Sequence, residues 1–303
     1  WDGVMYRHYT KFQASAASWM FVSWRNPQMF ANDIKAQHKV LWMHDTDAGD
    51  RMQEVHLSGV EAVWCLSEWH KQHLAEKYPY LAEKLVIVGN GIDSGRFMGR
   101  EERDANRIVY ASSPDRGLEQ VLGYWPKIKE AIHEAHLDIY YDWVNYDLMR
   151  GPADFKDRIM ESAKQEGVTW RGRIGQRELA REMMRSSVLL YPGPHDFCET
   201  FCITALEAQA AGCVPVTRDN GALPETTAHG IFLPSGSDPE RWVTAIQEAR
   251  ARTEDERTAM RLWAMTKTWS EVANRVLSWA IAAEKAADPP APAVMAEGLL
   301  KEV

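Results

Sequence analysis

The chain has 303 residues, 45% of them hydrophobic and 26% charged, so it is long and apolar enough to bury the cores of two domains or one large one. Its net charge of −8 argues against a general nucleic-acid surface, because phosphate binding normally needs a basic excess. The four cysteines form no CxxC pair, so we expect reduced thiols and no zinc site. No apolar run reaches about 18 residues and no signal-peptide pattern opens the chain, which favours a cytoplasmic protein.

Short apolar runs alternate with amphipathic stretches over most of the chain. In the first third, they predict strands over 39–44, 60–67 and 84–90, with a helix over 68–78. After a turn-rich segment the rhythm restarts, and it predicts strands over 107–113, 137–143, 168–171, 188–191 and 214–217 and helices over about 117–135, 153–166, 176–185 and 202–211. This alternation predicts an α/β fold with two Rossmann-like halves, each built on a parallel sheet.

The last third is predicted to be helical and to end in a mobile tail. Residues 268–287 place Trp269, Val272, Val276 and Trp279 on one helical face, which needs a surface to pack against. The following segment, 288–303, is broken by prolines, so we expect it to be flexible.

The stretch "PHDFCETFCITALEAQAAGCVPV" (194–216) keeps two glutamates in a segment of small and apolar residues. Glu199 falls in the loop before the predicted helix, and Glu207 falls on its second turn. The backbone amides of residues 200–203 lie at a helix N-terminus that follows a strand, which is a place where a diphosphate binds well. A carboxylate beside such an anion would repel it. Its presence is explained if the carboxylate accepts hydrogen bonds from the hydroxyl groups of a polyol. The alternative, a helix-start charge and a solvated glutamate, stays open.

The segment "ETFCITALEAQAAGCVPV" (199–216) resembles the E-x7-E signature of GT-B retaining glycosyltransferases, in particular glycosyltransferase family 4, also called glycosyl transferases group 1. The resemblance implies two Rossmann-like domains whose parallel sheets face a central cleft. It also implies that Glu199 contacts the transferred sugar and Glu207 the nucleotide ribose. Thr200 and Cys202 replace two glycines that are usual in the family. The implied donor-binding set in this segment is Glu199, Thr200, Phe201, Cys202, Ile203 and Glu207.

Other segments resemble the same family in the same order. "SSPDRGLEQVL" (112–122) is similar to its phosphate-binding turn, with Arg116 in place of a lysine, and the family's earlier arginine would fall on Ala111. "VTWRGRIGQRELAREM" (168–183) is similar to the strand and turn beside the nucleobase, which implies contacts by Arg173 and Ile174. "TWSEVANRV" (268–276) resembles the helix that crosses back to the first domain. As an alternative, Arg116 is a solvated residue at a helix start.

Candidate residues on the acceptor side come from "VLWMHDTDAGD" (40–50). The resemblance implies that His44 lies near the reacting centre, and its alternative is a hydrogen-bonded histidine at a strand end. Asp45 and Asp47 imitate a D-x-D metal motif, but enzymes of this fold generally work without metal, so we expect none. His195, Asp196 and Asp45 are candidates for sugar or acceptor contacts, with turn formation as the alternative for the first two.

The resemblance therefore implies metal-independent transfer, with retention, from a nucleotide diphosphate sugar such as a UDP or GDP sugar to a carbohydrate or other hydroxyl acceptor. His44, Glu199 and Arg116 are the expected catalytic residues, and no cofactor is expected. The implied domains are an acceptor-side domain (1–98), a donor-binding domain (99–267), a closing helix (268–287) and a tail (288–303). Peripheral membrane contact and oligomeric state stay open.

Residues 1–30 contain nothing like the strand and glycine-rich loop with which the family normally opens, and the chain starts at Trp1. We therefore expect a trimmed or unusually small first domain. Two other functions stay open: a nucleotide-sugar-binding module or partner subunit without turnover, and a nucleotide-sugar epimerase of the same fold.

Overall fold

The computed structural model of the chain describes residues 5, 11–148, 152–194, 196 and 198–287. The candidate residue His195 and the predicted tail, 288–303, lie outside the described residues.

The first sheet holds four parallel strands in the order β1-β2-β3-β4. They are β1 (Ser18–Trp24), β2 (Ala36–Trp42), β3 (Ala62–Cys65) and β4 (Leu85–Ile87), with the short helix α1 (Glu54–Leu57) and the longer α2 (Glu68–Lys77) between them. Every residue of β3 is buried, as expected for a parallel strand covered on both faces. Helix α2 begins where it does because the Ser67 hydroxyl accepts a hydrogen bond from the His70 amide at 3.0 Å.

Strand β1 was not predicted from the sequence. No strand was expected in residues 1–30, whereas β1 pairs in parallel with β2 from Ser18 to Trp24. The strand lies at the sheet edge, and most of its residues are exposed or half-buried, although residues 19–22 form an apolar run of the kind that indicates a strand. The glycine-rich loop remains without a counterpart among the described residues that follow β1, since Arg25, Asn26 and Pro27 come next.

The second sheet holds six parallel strands in the order β10-β9-β8-β5-β6-β7. The strands are β5 (Asp104–Tyr110), β6 (His136–Ile139), β7 (Val168–Trp170), β8 (Ser186–Tyr191), β9 (Val214–Arg218) and β10 (Ile231–Leu233). The strand order changes direction between β5 and β8, and in open parallel sheets ligands bind outside the carboxyl ends of strands at such a point. The prediction of an α/β fold with two parallel sheets is confirmed.

Helices cover the second sheet and return to the first. They are α3 (Leu118–Ala131), α4 (Val144–Leu148), α5 (Ala153–Ser162), α6 (Gln176–Arg185), α7 (Ile203–Ala210), α8 (Leu223–Thr226), α9 (Pro239–Ala251), α10 (Glu254–Met265) and α11 (Trp269–Ala287). On α11, Val276 and Trp279 pack against Val40 and Trp64 of the first sheet, with the Trp64 and Trp279 rings 5.6 Å apart. Part of the predicted apolar face therefore covers the first sheet, whereas Trp269 is 44% exposed.

The chain passes between the sheets twice, and the two crossings lie side by side. The Ile92 amide donates to the Lys267 carbonyl at 2.9 Å, and the Trp269 amide donates to the Ile92 carbonyl at 3.3 Å. A Cβ atom on Gly91 would lie 2.3 Å from the Thr268 carbonyl carbon, which is too close for any side chain. Glycine is therefore required at position 91 for the crossings to touch.

We predict that Gly91→Ala destabilises the fold by about 2 kcal/mol or more, because the backbone of Thr268 has to move to admit the methyl group. Gly123→Ala is the matched control. It lies within α3 with nothing within 4 Å of its added Cβ, so alanine there should stabilise slightly. Thermal denaturation of both variants measures the difference, and equal melting temperatures would contradict the close packing of the crossings.

Candidate active site

A cavity of about 470 Å³ lies between the two sheets, at the carboxyl ends of their strands. It brings together residues that the sequence places far apart. His44 and Asp45 follow β2, Arg116 precedes α3, and Glu199 and Thr200 precede α7. Phe201 and Ile203 also line it.

Glu199 is held in a fixed position on the wall of this cavity. Only 8% of it is exposed, and its Oε1 accepts hydrogen bonds from the Tyr191 hydroxyl and from Arg116 Nη1, the latter at 3.3 Å. Burial raises the pKa of the Glu199 carboxyl, and the hydrogen bond from Tyr191 and the charge of Arg116 oppose that rise in part. The carboxylate is thus poorly solvated and depends on these two donors.

The backbone around Glu199 is held by hydrogen bonds and by close packing. The residues that hold it were not predicted from the sequence. The Glu199 amide donates to Asn220 Oδ1 at 3.1 Å, and its carbonyl accepts from the Ala222 amide at 2.8 Å. Gly221 has φ +59°, and a Cβ there would lie 2.3 Å from the Glu199 carbonyl oxygen. The Asn-Gly pair at 220–221 marks a turn in the sequence but does not show which loop it supports.

Arg218 holds the turn that precedes Glu199. It is 5% exposed, and its guanidinium donates to the carbonyls of Pro192 at 2.7 Å and Gly193 at 3.1 Å. A buried guanidinium that donates to successive carbonyls fixes the path of the turn.

The turn that carries Arg116 packs directly against the turn after β8. Gly117 has φ +98°, and a Cβ on it would lie 2.8 Å from the Gly193 carbonyl oxygen. This close approach places Arg116 beside Glu199.

Helix α7 begins at Ile203, one residue after the start that the sequence predicted, and Cys202 is its N-cap. Its first-turn amides have no partner within the helix and point toward the carboxyl edge of the sheet. Cys202 is 5% exposed and packs in the core of the second sheet, so its side chain does not line the cavity. Of the two glycine replacements, only Thr200 borders the cavity.

His44 faces this wall from the first sheet. Its ring lies against Trp24 and Trp42, with centroids 5.6 Å and 5.2 Å away. Burial, together with the positive charge of Arg25, lowers the pKa of His44 to about 4, so the imidazole is neutral near pH 7. Its Nε2 is buried without a hydrogen-bond partner among the described residues.

Two hydrogen bonds join the loops of the two sheets at the cavity wall. The Thr200 hydroxyl donates to the His44 carbonyl at 3.1 Å, and the Ser67 hydroxyl donates to the Thr200 carbonyl at 3.0 Å. The loops of the first and second sheets are therefore in direct contact.

The remaining predicted site residues do not line this cavity. Glu207 lies on α7 with Arg96 Nη1 3.8 Å away, and burial raises the pKa of its carboxyl. Arg173 is mostly exposed and lies 3.8 Å from Asp142, while Ile174 packs on the second core. Asp196 borders a separate cavity beside the start of α3.

The D-x-D aspartates have partners in the protein. Asp45 pairs with Arg25, whose Nε lies 2.8 Å from Asp45 Oδ2, and Asp47 pairs with Lys77 Nζ at 2.8 Å. In the described part of the chain, no three His, Cys, Asp or Glu side chains form a group that would hold a metal ion.

No helix among the described residues is long and apolar enough to cross a membrane.

We predict that acid destabilises the fold in part through His70, which supports the loop after β2. Its Nε2 donates to the Asp45 carbonyl at 3.1 Å, and burial lowers its pKa to about 4. The unfolded chain, with an ordinary pKa near 6.5, binds more protons between pH 6.5 and 4, so folding stability falls as the pH drops through this window. His70→Gln should remove up to about 2 kcal/mol of the loss between pH 7 and 5.

Urea denaturation at pH 7 and pH 5 measures this loss for wild type, His70→Gln and the control His133→Gln, whose side chain is exposed on the far surface. The same pH dependence in all three proteins would contradict the neutral, buried state of His70.

Comparison with known proteins identifies the family of the chain. A profile for the family "Glycosyl transferases group 1" matches residues 100–261, more than half of the chain. A D-inositol 3-phosphate glycosyltransferase of Streptomyces avermitilis is 35% identical over 83 residues, which are 27% of this chain and 17% of the relative. The corresponding protein of Streptomyces griseus subsp. griseus is 36% identical over 75 residues, 24% of this chain and 15% of the relative. The matched segments thus span less than a fifth of these curated relatives.

Solved structures share the fold at low sequence identity. An alpha,alpha-trehalose 6-phosphate synthase from Burkholderia multivorans has a TM-score of 0.68 at 10% identity, over 88% of this chain and 70% of that chain. An Anabaena protein, HepE, in complex with UDP and glucose, has a TM-score of 0.62 at 13% identity, over 82% of this chain and 72% of that chain. The chain covers 54% of the protein matched in the GtfA/B complex. The chain has the GT-B fold and belongs to the glycosyl transferases group 1 family.

Proposed function

We propose that the chain transfers a sugar from a nucleotide diphosphate sugar to an acceptor hydroxyl, with retention of anomeric configuration and without a metal ion. The observation that carries the proposal is the pairing of Arg116 with the buried Glu199 beside the N-terminus of α7, facing His44 across the cavity. On the same wall of the cavity, the Arg116 guanidinium and the helix amides provide hydrogen-bond donors for an anion. The Glu199 carboxylate provides hydrogen-bond acceptors for sugar hydroxyls.

The leaving diphosphate binds at the N-terminus of α7. The first-turn amides of α7 and the Arg116 guanidinium supply positive charge where the departing phosphate gains negative charge. Arginine in place of the family's lysine supports this role, because a guanidinium binds phosphate oxygens in a bidentate manner. These groups replace the metal ion that other transferases use, and Arg116 is already close to the sugar end of the site through its contact with Glu199.

The sugar and nucleoside bind on either side of that phosphate site. Glu199 accepts hydrogen bonds from sugar hydroxyls, and its burial makes each such bond worth more than it is in water. Glu207, with Arg96 near it, accepts from the ribose diol. Arg173 and Ile174 border the base, which we expect to be uracil or guanine.

The acceptor approaches from the first sheet, past His44 and Asp45. The acceptor oxygen forms a bond to the anomeric carbon on the face from which the phosphate departs, the carbon–phosphate oxygen bond breaks, and the acceptor proton passes to a departing phosphate oxygen. Neutral His44 lines the cavity and forms a hydrogen bond to the reacting sugar. In this division residues 1–98 form the acceptor side, residues 99–267 bind the donor, and residues 268–287 close the first domain.

We predict that Glu199→Ala lowers the transfer rate by about 100-fold or more, because the sugar loses its buried acceptor, while nucleotide affinity changes little. Glu134→Ala, an exposed glutamate far from the cavity, is the matched control and should keep the wild-type rate. Transfer is measured with UDP-glucose and inositol 3-phosphate first, since UDP with glucose occupies the Anabaena structure and the curated relatives are D-inositol 3-phosphate glycosyltransferases. A near-wild-type rate for Glu199→Ala would refute the sugar-contact role.

The alternative function is a nucleotide-sugar-binding module without turnover. It is favoured by the lack of a glycine-rich loop in the described residues that directly follow β1. Titration of UDP and GDP by calorimetry, alongside a transfer assay over a panel of acceptors, separates the two functions. Nucleotide binding without turnover on any acceptor would favour the binding module.

A further inference from the structure

The loop after β2, residues 44–47, carries His44 and Asp45 into the cavity without any regular secondary structure of its own. Three successive carbonyls of this loop each accept a hydrogen bond from a side chain on another element. The donors to residues 44, 45 and 46 are, in order, Thr200 Oγ1 at 3.1 Å, His70 Nε2 at 3.1 Å and His73 Nε2 at 2.9 Å.

The two histidines project from the same face of α2. Residues three positions apart on a helix are neighbours, so one short helix reaches two consecutive peptide groups of the loop. His70 is fully buried, and its Nδ1 accepts from the Leu66 amide at 3.2 Å, which leaves the proton on Nε2 to donate to Asp45. The ring of His73 stacks on Trp69 with centroids 4.9 Å apart, which fixes its direction as well.

The neutral imidazole of His70 is well suited to its position. It donates one hydrogen bond to a carbonyl and adds no charge beside Asp45 and the site of the anionic donor. Lysine or arginine would reach the same carbonyls but would compete with Arg25 for the carboxylate of Asp45, which Arg25 now holds at 2.8 Å. The histidines thus restrain the peptide groups of the loop without bonding to the side chains that it presents to the cavity.

We propose that His70 and His73 are positioning residues for the transfer reaction. Through the carbonyls of Asp45 and Thr46 they hold the loop that places His44 and Asp45 at the acceptor side of the cavity. This role rests on the proposed transferase function, and it adds two residues that contact neither donor nor acceptor.

The test uses paired substitutions that keep or remove the Nε2 donor. His70→Gln places an amide donor near the Nε2 position, whereas His70→Asn is too short to reach the Asp45 carbonyl. His73→Gln keeps the donor to Thr46, whereas His73→Phe keeps the stacking on Trp69 and removes the donor. For each variant, kcat and the acceptor KM are measured in the transfer assay, the UDP dissociation constant by calorimetry, and amide hydrogen exchange in residues 44–47 by mass spectrometry. His133→Asn, at an exposed histidine, is the control.

We expect His70→Asn and His73→Phe to lower kcat for transfer about tenfold and to speed exchange in residues 44–47, because a loop displaced by a fraction of an ångström misplaces the reacting groups. The UDP dissociation constant should stay within about twofold, since the nucleotide binds the second sheet. The glutamine variants should recover most of the rate. Equal rates and equal exchange within each pair would overturn the proposal, as would a parallel loss of UDP binding.

If His70→Asn fails to fold, the comparison of His73→Gln with His73→Phe tests the proposal by itself. The His73 side chain is not fully buried, so we expect both of these variants to fold. The wild type could transfer no sugar while hydrogen exchange in residues 44–47 is still faster in the variants without the Nε2 donor. In that case the proposed transferase function fails, and the role of the histidines in holding the loop stands. If wild type is active and the pairs do not differ, only the positioning role fails.

Discussion

The hydrogen bond from the Thr200 hydroxyl to the His44 carbonyl joins the two sheets at the wall of the cavity. In the proposed transfer, one sheet holds the donor and the other holds the acceptor at near-bonding distance, so this function requires that the two loops stay together. Two further contacts support the junction. Ser67 donates to the Thr200 carbonyl, and the Glu225 carboxylate accepts from the Glu68 and Trp69 amides at 2.8 Å and 2.7 Å, at the N-terminus of α2. The amides at the N-terminus of α2 thus bind the carboxylate of Glu225 on α8, and the histidines of α2 bind the loop after β2.

The electrostatics of the cavity follow from burial. Removing Glu199 from water is costly, and the hydrogen bonds from Tyr191 and Arg116 offset only part of that cost, so its pKa is raised. Burial also keeps His44 neutral. The cavity therefore combines a restrained carboxylate, the Arg116 guanidinium and helix amides from the second sheet with an uncharged imidazole and the Arg25–Asp45 ion pair from the first. This asymmetry suits a reaction in which negative charge develops on one leaving group.

The sequence predicted the elements whose pattern is local. Helix α6 has the predicted bounds, 176–185, because its amphipathic spacing is strong, and the buried strands β8 and β9 lie within two residues of the prediction. Strand β1 was missed although residues 19–22 form an apolar run, because the search of residues 1–30 was for the strand and glycine-rich loop with which the family opens. His44, Arg116 and Glu199 were selected because their segments resemble motifs of the family, and the structure places all three on one cavity. Tyr191, Asn220, His70 and His73 were not, because their contacts depend on how distant loops meet, which leaves no spacing to detect.

The central claim is that the α7 N-terminus and Arg116 form the diphosphate site opposite His44. The most direct measurement is a crystal structure of the chain with bound UDP, or with GDP if calorimetry favours it. We expect the terminal phosphate to lie against the first-turn amides of α7, within hydrogen-bond distance of the Arg116 guanidinium. The ribose should lie near Glu207. A nucleotide bound elsewhere, with the α7 N-terminus occupied only by solvent, would contradict it.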